Sequence, residues 1–151
     1  MTTLITAAGG FLVAVLWFDL IFDVQVFRHR RSSQLPDDVL DSISAYYRRV
    51  TTTASPMGRL VALTMLVLLT SLVTEAVRGT TPVWVSVCSL SAAALAIGLA
   101  MGRVVGAAQR LGARSDPRDV QTRLARAIFR DHVICLAAMV CLMAVQLAAN
   151  Y

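Results

Sequence analysis

The sequence predicts an all-α fold, a polytopic membrane four-helix bundle with one cytoplasmic amphipathic helix. Three observations carry that expectation. Four apolar segments punctuate the chain, each near the roughly 20 residues a helix needs to cross a bilayer core. All fourteen basic residues are arginine, and every one except Arg78 falls in one of two alternate loops. The chain is 57% hydrophobic but only 15% charged, where a soluble domain carries about a quarter charged residues.

The 151 residues leave no room for a soluble domain beside four spans, so one integral domain, 1–151, is expected. Its spans are placed at about 4–27, 57–77, 82–101 and 132–149. Arg28, Arg30, Arg31, Arg48, Arg49 and Arg59 lie between the first and second. Arg103, Arg110, Arg114, Arg118, Arg123, Arg126 and Arg130 lie between the third and fourth. Cationic loops are retained on the cytoplasmic side, which puts both termini outside. A net charge of +5 would suit nucleic acid in a soluble protein. Here orientation and anionic headgroups account for it. Membrane lipids are therefore the expected partners, with a second copy or another membrane protein left open and no nucleic acid.

The first segment has no basic stretch before it and no small-residue cleavage site after it, so it is expected as a retained helix. In the first inside loop, Pro36, Asp37 and Asp38 read as a helix start, with acids near the positive end of the dipole. Val39, Ile43, Tyr46 and Val50 then recur at helical spacing and form one apolar stripe. An amphipathic helix lying on the inner membrane surface fits that stripe. Ser55-Pro56 opens the second span, and a very short link, residues 78–81, makes the second and third spans an antiparallel hairpin. In the second inside loop, Gly112-Ala113 predicts a helix stop. Asp116 as N-cap, Pro117 in the first turn and Asp119 at N3 predict a new start. That last helix is expected to run unbroken to Ala149.

Few residues offer chemistry. Asp19 and Asp23 are one turn apart on the first segment and share a face. A carboxylate in hydrocarbon costs a few kcal/mol, so it should face the interior and have a partner. Arg103 and His132 are the leading partners for Asp19. The acids read either as a proton relay, metal ligands or substrate contacts, or as an Asp–Arg lock between helices. Asp131 and His132 complete the candidate polar site. His29 and His132 as axial haem ligands, or with the acids as a metal site, is the weaker reading, because no pair has a diagnostic spacing. No metal site and no cofactor is expected. The three cysteines, Cys88, Cys135 and Cys141, show no C-x-x-C pair and read as buried thiols.

Ala94, Gly98, Gly102 and Gly106 form a smooth strip on the third segment. Such strips mark helix–helix contacts in lipid, and packing within the monomer is favoured over contact with a second copy. Glu75 and Arg78 read as an interfacial ion pair. Trp84 and Tyr151 fit an outer aromatic belt. Tyr46-Tyr47-Arg48-Arg49 joins aromatics to cations at the surface, as an interfacial anchor or as a capture site for an anionic or aromatic substrate.

Two blocks, residues 17–25 (WFDLIFDVQ) and 46–52 (YYRRVTT), resemble those of small uncharacterised four-span membrane proteins of bacteria. The resemblance implies the bacterial cytoplasmic membrane and no particular activity. The helix order and the Arg130-Asp131-His132 step also resemble the anthrone-oxygenase-like four-helix membrane family. That likeness would imply oxygen-dependent oxidation of a polycyclic aromatic, and it assigns no residue a catalytic role. Two functional classes follow. One is a non-enzymatic accessory, assembly or small-solute and proton-handling protein, which is preferred because no nucleophile–base set or complete ligand set can be read. The other is a small membrane oxidoreductase using Asp19, Asp23, Asp131 and His132 at the cytoplasmic face.

Overall fold

The computed structural model describes residues 2–53 and 55–149. Tyr151, expected in the aromatic belt, lies outside them. Helix α1 spans Thr2–Asp23, and a single turn, α2, Gln25–Arg28, continues it. Helix α3, Asp37–Arg48, passes into a π-helical turn at Arg49–Thr53; α4 then spans Ser55–Arg78. Helix α5, Val83–Leu99, widens into a second π turn at Ala100–Val104 and continues as α6, Val105–Ala113; α7, Arg118–Ala148, completes the chain. Left-handed Gly79, at φ 62°, ends α4 in the way glycine commonly closes a helix.

Among the described residues, four helices are long and apolar enough to cross a membrane: Thr2–Arg28, Pro56–Arg78, Val83–Ala113 and Arg118–Ala148. They touch in cyclic order, α1 with α4, α4 with α5, α5 with α7 and α7 with α1. Ile5, Leu12, Leu68, Leu72, Ala93, Met139 and Leu142 fill the space between them. Large apolar side chains also face outward, among them Trp17, Phe18, Leu63, Leu66 and Val87. Helices that are apolar all round need apolar surroundings on their outer faces too.

The small residues that pack are not the glycine strip. Ala94, Gly98, Gly102 and Gly106 are all exposed. A Cβ added at any of the three glycines would meet nothing within 4 Å. The close contact expected of this strip within the chain is made instead by the other face of the helix, where Ser89, Ala93 and Ala96 are buried against α7. That face carries side chains to bury, whereas glycine removes almost no apolar area from solvent. A second close approach comes from Gly9 of α1, where an added Cβ would collide with the Met143 thioether of α7.

A separate core lies at the arginine-rich end. There Leu35, Val39, Leu40, Ile43 and Tyr47 pack on Leu111, Ala125 and Ile128. The amphipathic stripe exists as expected, but protein covers it, since α3 docks on α6 and α7. The reason is that both of those helices outrun their apolar segments and offer it a surface. At 31 residues α7 is about 46 Å long, several turns more than its apolar part needs. Gly112 serves this docking as well as marking the helix stop expected at Gly112-Ala113. Its missing Cβ would sit 2.9 Å from the Arg48 backbone nitrogen. The helix ends one residue later, with Arg114 left-handed at φ 55° and held by Gln121 and Asp41. The start of α7 also differs from expectation. Pro117 occupies the cap position without a side-chain cap, and Asp116 pairs with Arg110 at 3.0 Å.

Candidate functional site

Where α1 ends, it meets α3 and α7 in a cluster of buried polar side chains. Asp19 and Asp23 share the inward face of α1, as their four-residue spacing dictates. His132 projects from α7 between them. Its Nδ1 lies 2.7 Å from Asp23 Oδ2 and its Nε2 lies 3.9 Å from Asp19 Oδ2. An ionised carboxylate only accepts, so His132 Nδ1–H donates to Asp23. At 3.9 Å the second contact is electrostatic and not a hydrogen bond.

Two tyrosines of α3 close the cluster. The Tyr47 hydroxyl donates to Asp23 Oδ1 at 2.7 Å, and the Tyr46 hydroxyl donates to Asp19 Oδ1 at 2.5 Å. The Tyr46 ring stacks on Phe22, centroids 4.1 Å apart, which fixes its direction. Burial, reinforced by the two carboxylates, pushes both phenols well above their ordinary range. They therefore stay protonated and act as donors. The chain of contacts reads Tyr46, Asp19, His132, Asp23, Tyr47. Its depth is uneven, because the Asp23 side chain is 1% exposed and that of Asp19 is 16% exposed.

The arginines do not join this chain. Arg103, expected beside Asp19, is 3.1 Å from Asp131, and Arg130 reaches the other oxygen of Asp131 at 3.1 Å. Asp131 is buried and both guanidiniums are more than half exposed, so they cap it from outside. The candidate residues thus divide into two neighbouring groups, Asp19, Asp23 and His132 in one, and Asp131, Arg103 and Arg130 in the other. His29 belongs to neither; its ring meets the Gln25 carbonyl at 3.2 Å. Among the described residues no three His, Cys, Asp or Glu side chains converge as metal ligands would.

Asp19, Asp23 and His132 were singled out in the sequence, but Tyr46 and Tyr47 were not read as partners of the acids. One signal could have found them. The apolar stripe of α3 turns this segment inward, and a buried phenol needs a hydrogen-bond partner.

A second buried polar group lies at the opposite end. Gln146 Nε2 is 3.1 Å from both Glu75 Oε2 and Ser89 Oγ. Glu75 turns into the protein, 3% exposed, while Arg78 is exposed. The Glu75–Arg78 pair expected from spacing is not formed among the described residues. Helix α7 carries a member of each polar group, and Cys135, Met139 and Leu142 separate them.

Compared with protein-family models, curated proteins and solved structures, the chain found no match in any of the three.

Proposed function

We propose that the chain is a non-enzymatic integral membrane protein that binds and releases a proton at Asp19, Asp23 and His132. In this reading it is a multi-pass protein of the bacterial cytoplasmic membrane, both termini outside, with the cluster at its inner face. The topology rests on the arginine distribution. The observation that carries the function is one imidazole set between two carboxylates. A single imidazolium neutralises only one of them, and the nearby guanidiniums of Arg103 and Arg130 bond to Asp131 and touch neither acid of the cluster. Either the cluster keeps a net negative charge in a low-dielectric site, which is costly, or it holds one more proton. Asp19 is the more open acid and is the exchange point; Asp23, buried and doubly bonded, orients the histidine.

Infrared spectroscopy on the protein in lipid tests this, by following the carboxylic-acid carbonyl band as the pH is lowered. A band that grows on acidification and is lost in Asp19→Asn is the expected result. Identical titrations for wild type and Asp19→Asn would overturn the reading.

The alternative is a small membrane oxidoreductase at the same face. What favours it is that Asp131, beside His132, lines an open groove of about 410 Å³ between α6 and α7. The anthrone-oxygenase-like layout points the same way. An absorption spectrum and metal analysis of purified protein decide between the two readings; a stoichiometric chromophore or metal would reverse the preference.

A further inference from the structure

The groove between α6 and α7 has a use that the acid–histidine cluster does not explain. Arg103 and Arg110 stand along one wall, Leu124 and Ile128 along the other, and Gly106 leaves its floor open. Both arginines are more than half exposed. Arg103 touches Asp131 through Nε, and its side chain is 54% exposed. Arg130 stands behind Asp131 at the same level. Three guanidiniums therefore face two carboxylates, Asp131 and Asp116, and one positive charge is left over. Gly102 and Gly98 follow Gly106 along the same exposed strip into the apolar segment, and a Cβ added at either would meet nothing within 4 Å.

A cationic mouth above a bare apolar furrow, at the level where a span meets its arginine-rich loop, matches an anionic amphiphile. Its phosphate would meet the exposed guanidiniums of Arg103 and Arg110, sharing Arg110 with Asp116, which that fork holds through Nε and Nη2. Its acyl chain would lie along exposed helix backbone at Gly102 and Gly98. We propose that this groove is a binding site for one anionic phospholipid. The proposal shares with the proton-binding reading only the placement in a membrane, and neither needs the other.

The test is thermal stability of the purified protein in a neutral detergent, with phosphatidylglycerol, phosphatidylcholine or glycerophosphate added. Lipid retained is counted in parallel by native mass spectrometry. Phosphatidylglycerol should raise the melting temperature and remain bound as one molecule, and phosphatidylcholine should do neither. Arg110→Gln should weaken phosphatidylglycerol binding about fivefold, the usual worth of one arginine near an anionic headgroup. Its exposed pair with Asp116 adds little to folding, so that variant should remain folded. Gly106→Leu, built into open space, should fill the furrow and abolish retention of the lipid. Equal effects of the two lipids would overturn the proposal. So would equal stabilisation by glycerophosphate, which would make the ligand a free phosphate. Unaltered lipid binding in Arg110→Gln and Gly106→Leu would overturn it as well.

Discussion

Removing the Asp23 carboxylate should unlatch α3 from α1, and the size of the effect follows from what it holds. Asp23 accepts from Tyr47 Oη and from His132 Nδ1, both at 2.7 Å, and is itself buried. Asp23→Ala would leave two buried donors unmatched, each costing about 1–3 kcal/mol. The total should therefore be about 2–6 kcal/mol. Asp23→Asn should cost less, because the amide still accepts one bond and a neutral His132 can turn Nδ1 into an acceptor. The decisive measurement is the cycle with Tyr47→Phe. If the Tyr47–Asp23 bond is what the structure shows, Asp23→Ala combined with Tyr47→Phe should be less damaging than the sum of the singles. The expected coupling is about 1.5 kcal/mol, since the acceptor is charged. Polar pairs between membrane helices average only about 0.6 kcal/mol. This bond lies at a span end, on a helix outside the apolar segments, and should exceed that figure. Unfolding titrations in mixed micelles read the free energies. Additivity within about 0.3 kcal/mol would refute the latch.

Three further outcomes are expected. Gly112→Ala should destabilise by about 1–3 kcal/mol, because its Cβ would press on the Arg48 backbone, whereas Gly102→Ala should leave the melting temperature unchanged or slightly raised; the reverse order would mean the docking of α3 is wrong. Because burial raises the Tyr46 and Tyr47 phenols above their unfolded value, the stability they supply is complete below about pH 10 and is lost as the pH climbs beyond it; tyrosinate absorbance should show both ionising only as the fold opens, and a smooth titration of all three tyrosines in intact protein would contradict the site. A reporter fused after Tyr151 should give the external phenotype, and a cytoplasmic signal would invert every inside and outside assignment made from the arginines.

The four long helices could be read directly, because hydropathy over about 20 residues is a summed property that tolerates local error. The length of α7 could be read as well, since Asp116, Pro117 and Asp119 mark its start and the helix runs unbroken over Arg118–Ala148. What its first turns bury against could not, because Ala125 and Ile128 pack on the docked α3, a contact distant in sequence. Side-chain pairing was legible in part for Asp19, where cost in hydrocarbon demands a partner: His132 lies 3.9 Å away, but the hydrogen bond comes from Tyr46. It failed for Arg103, since two acids were in reach and sequence does not say which one a long guanidinium side chain will meet. The glycine strip misled for a similar reason. The third segment carries two small-residue faces, and only the packing of α7 on Ser89, Ala93 and Ala96 shows which one is inside.

The π turn at Ala100–Val104 accounts for Arg103 as well. Ala96 and Val104 are both buried, eight residues apart. In a regular α-helix eight residues advance about 800°, so Val104 would sit about 80° off the face of Ala96. A π turn takes more residues per turn and cancels much of that drift. The buried face thus continues from Ala96 through Val104 to Ala108 and Leu111, where α6 meets α3. With Val104 inside, Arg103 is carried to the flank of the helix, beside α7, where Asp131 lies. The same widening therefore aligns the two cores and turns Arg103 away from Asp19. The acid–histidine cluster is left with its own single base, and on that arithmetic of charges the proton-binding proposal rests.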